Sequence, residues 1–347
     1  MQNAVVIQAA AVDVGYGCTK WMLPAADGKT IQRGIFRSMA IPVAGSQGGD
    51  TADKGEGTTV QVNTSRFYVG PDVVKQADAM AVRNSGSGFV LSEAYRALFL
   101  GALYQMLATR KQLGRDAVIK QLNVGLPLTT FVDHCDELEA FTAGTHRIPN
   151  PKGEGEVAVR IESATAMLQP VGVMLAAGDM DTRQVLIIDV GTGTTDVLTS
   201  AEGVPNFNRS SSYEIGLNNF LRAAVEPIER RWVDSAHVMS KVDEALRSGA
   251  KTVELGGKQI EVADLYLSAK TALDRCVDKM VQIAGSLVDL DRVVLAGGGA
   301  ELFQRVLVQR YPDCSAIVMK GKDSVYDAVT GFYMAAVDAQ GLNQEAA

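Results

Sequence analysis

The sequence predicts an α/β fold that contains an internal duplication. An apolar strand that ends in an aspartate and enters a glycine turn occurs at residues 11–20 and again at residues 185–196. Both copies read Asp-Val-Gly-x-Gly-x-Thr, and each turn leads back into a strand-like segment. Segments with the apolar spacing of helices follow each copy. Strands and helices that alternate in two similar halves are typical of a duplicated α/β protein.

The residue types of the two turns indicate a phosphate site. Glycine lets the backbone approach a phosphate closely, and successive N–H groups of such a turn form an anion nest. An aspartate beside a phosphate requires a cation, and Mg²⁺ is often held by one or two carboxylates together with phosphates. We therefore expect Asp13 and Asp189 to serve one magnesium nucleotide, in part through water. The candidate phosphate-binding residues of the turns are Gly15, Tyr16, Gly17, Cys18, Thr19, Gly191, Thr192, Gly193, Thr194 and Thr195.

Two common nucleotide-binding turns are excluded. The Rossmann fingerprint and the Walker A loop both lead from a strand into a helix, whereas these turns lead from strand to strand. The Lys-Ser/Thr ending of a Walker A loop is also missing. One glycine turn alone would be an ordinary connection between strands, so the interpretation depends on the duplication.

The first half is predicted to begin with β-hairpins and to continue into a helix. Residues 45–57 are polar and glycine-rich, which predicts a mobile loop that does not pack. A helix is predicted from Ser92 to Leu113, because apolar residues recur at helical spacing before Gly114. The predicted strands are Ala4 to Val14, Lys20 to Leu23, Ile31 to Arg37, Val60 to Val62, Arg66 to Val69, Val118 to Val124 and Val157 to Ile161.

The second half repeats this order. Met167 to Leu175 contains a proline after Gln169, which predicts a passage from strand to helix with Gln169 at its start. Strands are predicted at 185–189, 197–200 and 293–296, and a small hairpin at 251–261. The predicted helices are Gly216 to Arg231, Ser235 to Ser248, Val262 to Leu287, Glu301 to Tyr311 and Val325 to Ala339.

A third glycine cluster, Gly297, Gly298 and Gly299, follows the predicted strand at 293–296. Ordinary turns between a strand and a helix use one glycine and rarely three. Adjacent glycines leave room for a flat base or ribose against the backbone. We therefore expect this cluster to contact a nucleoside.

Composition excludes several classes of function. The chain has 347 residues and a formal net charge of −7, which argues against direct, non-specific nucleic-acid binding. Its four cysteines form no Cys-x-x-Cys pair, so reduced thiols in a cytoplasmic protein are expected. The three histidines show no spacing typical of metal ligands. No apolar run approaches the length of a membrane span, so no membrane partner is expected.

The chain resembles the actin/Hsp70/sugar-kinase ATPase fold. The two Asp-Val-Gly turns, the Gly-Leu-Pro at 125–127, the Gln-Pro at 169–170 and the Gly-Gly-Gly at 297–299 carry the resemblance. Within this superfamily it is most similar to the bacterial actin-like ATPases of the ParM/StbA plasmid-segregation family. The segments at 124–129, 67–70 and 328–333 support that subgroup.

The resemblance implies two lobes, each with a mixed β-sheet flanked by helices, with nucleotide in the cleft between them. Residues 1–166 would form lobe I, with a smaller subdomain at about 34–70. Residues 167–325 would form lobe II, and the helix at 326–347 would return to lobe I. Lys20 would contact phosphate, and Gln169 would join Asp13 and Asp189 as a catalytic residue. Gln169 departs from the glutamate common in ParM-type proteins: an amide orients the attacking water but does not take its proton.

Three functions compete at this stage. The first is an ATPase that uses ATP or GTP with Mg²⁺ and polymerises head to tail, moving plasmid DNA through a DNA-binding adaptor. The second is a non-polymerising scaffold or chaperone-like ATPase on the same fold. The third, a small-molecule kinase, needs a catalytic aspartate where this chain has Gln169. Other roles stay open: Gln169 as a turn residue, Lys20 as a solvated strand residue, and the threonines of the second turn as β-formers.

Overall fold

The computed structural model describes residues 4–43, 55–76, 87–110, 114–178, 184–285 and 287–342. The chain forms two compact units. The first comprises residues 1–176 and 328–347, and the second comprises residues 177–327. Within the described ranges, no helix has the length and apolar character needed to cross a membrane.

The first unit is built on a six-stranded sheet with the order β3-β2-β1-β7-β9-β8. β1 runs antiparallel to β2 and parallel to β7, and β7 runs parallel to β9. A small sheet with the order β4-β6-β5 accompanies it. The strands are β1 (Val5–Val14), β2 (Cys18–Pro24), β3 (Ile31–Arg37), β4 (Ile41–Pro42), β5 (Thr58–Val62), β6 (Ser65–Val69), β7 (Ala117–Leu126), β8 (Gly144–Pro149) and β9 (Glu156–Leu168).

Helix α2 (Glu93–Arg110) provides much of the core of this unit. Its residues Tyr95, Phe99, Leu103 and Met106 are almost completely buried against the strands. Apolar residues three, four and seven positions apart share one face of a helix, which explains why this stretch packs as it does. The helices of the unit are α1 (Val73–Gln76), α2 (Glu93–Arg110), α3 (Leu128–Thr142), α4 (Gln169–Ala177) and the C-terminal α9 (Asp327–Ala339).

The second unit is built on a five-stranded sheet with the order β12-β11-β10-β15-β16. β10 runs antiparallel to β11 and parallel to β15. The strands are β10 (Gln184–Val190), β11 (Thr195–Ala201), β12 (Val204–Tyr213), β13 (Thr252–Leu255), β14 (Lys258–Glu261), β15 (Arg292–Ala296) and β16 (Val318–Lys320). The helices are α5 (Leu217–Val225), α6 (Ala236–Ser248), α7 (Val262–Ala284) and α8 (Ala300–Arg310). Their apolar faces pack with one face of this sheet.

The predicted α/β class and its duplication are confirmed. In each unit a hairpin, β1–β2 or β10–β11, contains the Asp-Val-Gly turn. In each unit the first strand of that hairpin also has a parallel neighbour, β7 or β15. The passage at Met167 to Leu175 is confirmed as well, because β9 ends at Leu168 and α4 begins at Gln169.

Several predicted elements were wrong in extent or were missed. The helix predicted from Gly216 to Arg231 ends at Val225, and a 3₁₀ turn at Arg230–Asp234 follows. Pro227 accounts for the early end, because proline has no backbone N–H to donate to the carbonyl four residues earlier. The prediction missed α3, β4, β8, β12 and β16, and α9 begins two residues later than predicted, after a 3₁₀ turn.

The polar loop prediction for residues 45–57 falls largely outside the described residues. Of its three described residues, Gly55 and Glu56 are exposed, but Gly57 contradicts the prediction because it is buried against Tyr68 and Asp72. A Cβ at Gly57 would lie 2.7 Å from the Tyr68 hydroxyl, which itself donates a hydrogen bond to Asp72 Oδ1 at 2.8 Å. The absence of a side chain, rather than apolar character, allows this packing.

Candidate functional site

The first hairpin pairs an acid with a base. Asp13 is the penultimate residue of β1, and its direct cross-strand neighbour on β2 is Lys20. Direct cross-strand neighbours lie on the same face of a sheet. The Lys20 ammonium donates to Asp13 Oδ2 at 2.7 Å, and the Asp13 side chain is fully buried. The strand register therefore forms a nearly solvent-free ion pair at the start of the glycine turn.

Gln169 reaches the same carboxylate from a distant part of the chain. It is the first residue of α4, and its Nε2 donates to Asp13 Oδ1 at 2.8 Å. The strand order β1-β7-β9 explains the approach, since β9 leads directly into α4. Asp13, Lys20 and Gln169 are thus brought together within the first unit.

Gly125, at the end of β7, makes room for this arrangement. A Cβ at Gly125 would lie 3.1 Å from Asp13 Oδ1 and 2.4 Å from a ring carbon of Phe332. A Cβ at Gly172, on α4, would lie 2.5 Å from the same ring. The Phe332 ring therefore fills the space between the strand behind Asp13 and the helix that carries Gln169.

The first turn itself is tightly bonded. The Gly15 N–H donates to the carbonyl of Cys18 at 3.2 Å, and the carbonyl of Gly17 accepts from Ser38 N–H at 3.0 Å. The Thr19 hydroxyl lies in the interior, 2.9 Å from the Ser38 hydroxyl. The Tyr16 ring packs on Phe89, with ring centroids 5.3 Å apart. These contacts hold the turn in one shape.

The second hairpin pairs two acids. Asp189 and Asp196 are direct cross-strand neighbours of β10 and β11, and their exposed fractions are 8% and 1%. Like charges directly opposite each other destabilise a sheet unless positive charge is supplied. The pair of Asp189 and Asp196 in the second hairpin is therefore better suited to bind a cation than the pair of Asp13 and Lys20 in the first.

Helix α5 is attached directly to the second turn. The N–H groups of Leu217 and Asn218 donate to the carbonyls of Gly191 and Thr192 at 2.9 and 3.0 Å. A Cβ at Gly216 would lie 2.6 Å from the Thr192 carbonyl oxygen, so only glycine permits this approach. The Thr195 hydroxyl donates to the carbonyl of Ile215 at 2.6 Å.

The glycine cluster at 297–299 lies against Asp189 within the second unit. Gly297 has φ +80°, and a Cβ there would lie 2.4 Å from both Asp189 Oδ1 and the Val190 carbonyl oxygen. The Gly299 N–H donates to that same carbonyl at 3.0 Å. Gly298 has more space, since the atom nearest to an added Cβ is a methyl carbon of Leu217 at 3.8 Å.

Sequence reasoning did not include Asp196 or Gly125 in the site. Asp196 had a readable signal, because it follows Asp189 by the same interval that separates Lys20 from Asp13. Gly125 had no comparable signal in the sequence, because its contact with Asp13 depends on β7 lying beside β1. Tyr95 was also missed. Its buried hydroxyl has no hydrogen-bond partner among the described residues, and burial together with the Asp13 charge raises its pKa.

The residues present fit a magnesium nucleotide. Each turn begins at a glycine where a Cβ would lie 3.0–3.2 Å from a carbonyl of the same turn, Gly191 against Thr194 and Gly15 against Cys18. In the described ranges, no group of three or more His, Cys, Asp and Glu side chains could hold a metal alone. Where Mg²⁺ is bound with a nucleotide, one or two carboxylates commonly share its coordination with water and phosphate.

Two family models match the chain. The model of the N-terminal domain of actin-like proteins matches residues 11–172. The model of the C-terminal domain of the archaeal, MreB-like actin homologue matches residues 187–309. No curated protein matches the sequence.

Three solved structures resemble this chain over nearly its full length. Actin-like protein Alp7A is 16% identical, with a TM-score of 0.74, and the match covers 99% of this chain and 100% of that chain. Bacillus thuringiensis ParM with ATP is 17% identical, with a TM-score of 0.64 and coverage of 96% and 98%. The Alp12 filament structure is 15% identical, with a TM-score of 0.64 and coverage of 97% and 99%. The predicted duplicated actin-like fold is thereby confirmed.

Proposed function

Because this chain is an actin-like protein with the fold of the ParM and Alp homologues, we propose that it binds and hydrolyses ATP with Mg²⁺ and polymerises into filaments that segregate plasmid DNA. One observation carries the proposal, which is that each unit contains the same Asp-Val-Gly hairpin. In each hairpin the aspartate is buried against a glycine at or just after the end of the parallel neighbour strand. A protein with a single phosphate turn has no need for this second copy.

Each hairpin carries groups suited to the phosphates and the cation of the nucleotide. Lys20 would bind a phosphate oxygen through its ammonium group, and backbone N–H groups of each turn would bind others. Asp189 would hold the cation through water, and Asp13, which is buried and accepts from Lys20 and Gln169, would act on it through its charge. The cation would neutralise charge on the phosphates. The residues Gly297 to Gly299 accommodate the nucleoside.

Gln169 orients the attacking water. Phosphoryl transfer depends mainly on positioning and on electrostatic stabilisation of the phosphate oxygens, so an amide that holds water in line with the bond to be broken accelerates it. The residue takes no proton, which predicts slower hydrolysis than a carboxylate at the same position would give.

The proposed partners are inferred from filament assembly and from the net charge of the chain. A second copy of this chain is the first partner, because a head-to-tail contact that does not close produces a filament. The net charge of −7 favours a DNA-binding adaptor over direct contact with DNA. The proposed location is the cytoplasm, with ATP as the nucleotide and GTP as the alternative.

Phosphate release and sedimentation of the full chain test the proposal together. With Mg²⁺ and ATP we expect phosphate release and pelleted protein that negative-stain microscopy shows as filaments, and neither with EDTA. GTP in place of ATP identifies the preferred nucleotide. Hydrolysis without pelleting would favour the non-polymerising scaffold. Phosphorylation of a sugar in a substrate panel would favour a kinase, and no nucleotide binding would overturn the proposal.

A further inference from the structure

Both oxygens of the Asp13 carboxylate accept hydrogen bonds from groups that have separate tasks in the proposed reaction. Lys20 donates to Oδ2 at 2.7 Å, and Gln169 donates to Oδ1 at 2.8 Å. The carboxylate has no exposed surface. One buried group therefore links the lysine assigned to phosphate with the glutamine assigned to water.

The chemistry of this contact determines the orientation of the Gln169 amide. An ionised carboxylate only accepts hydrogen bonds, whereas a glutamine has an NH₂ group that donates and a carbonyl oxygen that accepts. Asp13 must therefore face the NH₂ group. The carbonyl oxygen of Gln169 is then the group left to accept a hydrogen bond from another partner.

We propose that Asp13 is a positioning residue that holds the Gln169 amide with its carbonyl oxygen available to the attacking water. This role rests on the proposed ATPase function and is separate from any contact of Asp13 with the cation. A water molecule that donates a hydrogen bond to this oxygen can direct a lone pair toward the phosphate. In the opposite amide orientation, the NH₂ group would face the water and could only donate to it.

The packing around Asp13 prevents the carboxylate and the amide from moving apart. The backbone of Gly125 lies against Asp13 Oδ1, as the 3.1 Å distance for an added Cβ shows. The Phe332 ring lies close to both Gly125 and Gly172, and Asn123 Nδ2 donates to the Phe332 carbonyl at 3.0 Å. The helix that carries Gln169 is thus held in place relative to the strand beside Asp13.

Asp13→Asn is expected to reverse the Gln169 amide. The Lys20 ammonium needs an acceptor, so the asparagine carbonyl faces Lys20 and the asparagine NH₂ faces Gln169. Gln169 then turns its carbonyl oxygen toward residue 13 and its NH₂ toward the water. Loss of the oriented water should reduce kcat while the ATP affinity changes less.

A double-mutant cycle tests this coupling. The chain variants are Asp13→Asn, Gln169→Ala and the double variant, compared at saturating ATP and saturating Mg²⁺, with Asp133→Asn on the exposed face of α3 as the matched control. We expect each single variant to lower kcat by about 10–100-fold and the double variant to be within about threefold of the slower single variant, because groups that act as one unit are not additive. The control should retain the unaltered kcat.

Multiplied effects in the double variant would overturn the positioning role. So would a kcat of the Asp13→Asn variant at saturating Mg²⁺ that equals that of the unaltered chain, which would leave only a cation role. Absence of hydrolysis by the unaltered chain would instead overturn the proposed function.

A second measurement needs neither hydrolysis nor a folded Asp13→Asn variant. In the nucleotide-free, unaltered chain, the side-chain NH₂ signals that disappear in Gln169→Ala should lie downfield of the other glutamine signals in a ¹H–¹⁵N spectrum, because a buried carboxylate accepts from them. Signals at the position of solvated glutamines would overturn the inference.

Discussion

The two glycine hairpins share their sequence pattern but differ in the residue that faces the aspartate. In the first hairpin Asp13 faces Lys20, and in the second Asp189 faces Asp196. The first pair therefore carries its own compensating charge, whereas the second brings two carboxylates together. A repeated motif thus specifies the same backbone twice while one cross-strand position changes its electrostatic role.

The two hairpins also share a feature that lies outside the motif. Gly125 lies behind Asp13 and Gly297 behind Asp189, each at or just after the end of the parallel neighbour strand. The contact is closer in the second unit, where an added Cβ would lie 2.4 Å from the carboxylate instead of 3.1 Å.

Asp189→Ala should have the largest effect. It removes a carboxylate from the pair that we assign to the cation, and Mg²⁺-dependent phosphate release should fall at least about 100-fold. Turnover at saturating ATP and Mg²⁺ measures this, with Asp313→Ala as the control, because Asp313 is an exposed carboxylate of the same unit. Unchanged turnover would remove the metal role and leave Asp196 as the alternative carboxylate.

Gly297→Ala should destabilise the protein more than Gly125→Ala does. Gly297 has positive φ, which costs about 1–3 kcal/mol for other residues, and its Cβ would also meet the Val190 carbonyl oxygen. We expect the free energy of unfolding to fall by about 2–4 kcal/mol in Gly297→Ala. In Gly125→Ala, where the atom nearest to the added Cβ belongs to a side chain, it should fall by roughly 1–2 kcal/mol. Denaturant midpoints of both variants decide this, and the reverse order would contradict the comparison.

Lys20→Ala should weaken ATP binding, since charge-assisted contacts to phosphate contribute roughly 1.5–3 kcal/mol. Lys29→Ala is the matched control, because Lys29 is an exposed lysine in the turn at the far end of β2. Calorimetric titration with ATP and Mg²⁺ measures both. An unshifted affinity would show that the first hairpin uses its lysine only to neutralise Asp13.

Asparagine should cost the first hairpin more stability than the second. Asp13→Asn breaks an ion pair of opposite charges, so the free energy of unfolding should fall. Asp196→Asn removes one of two like charges that face each other, so without Mg²⁺ its free energy of unfolding should stay above that of Asp13→Asn by at least about 0.2–1 kcal/mol. Thermal midpoints in EDTA measure both shifts. Equal shifts would mean that the hairpins do not differ as proposed.

Much of the candidate site could be predicted from local sequence. The hairpins, their aspartates and the Gln169 helix start all follow from β-branched runs, glycine turns and Pro170. The end of α5 was missed because the missing backbone N–H of Pro227, which interrupts the helical hydrogen bonds, was not taken into account. β12 was missed because its polar residues, at 206 and 208–212, show little apolar alternation.

The amino-acid sequence by itself determined the strand–turn–strand units, because the residues that form each hairpin lie within about 20 positions of one another and their register follows from the turn. Only the tertiary structure decided that Gln169 donates to Asp13 across 156 residues and that Gly125 and Gly297 lie behind the two aspartates. Those contacts depend on strand order, and strand order depends on how whole elements bury their apolar faces together. No local pattern of residues encodes it.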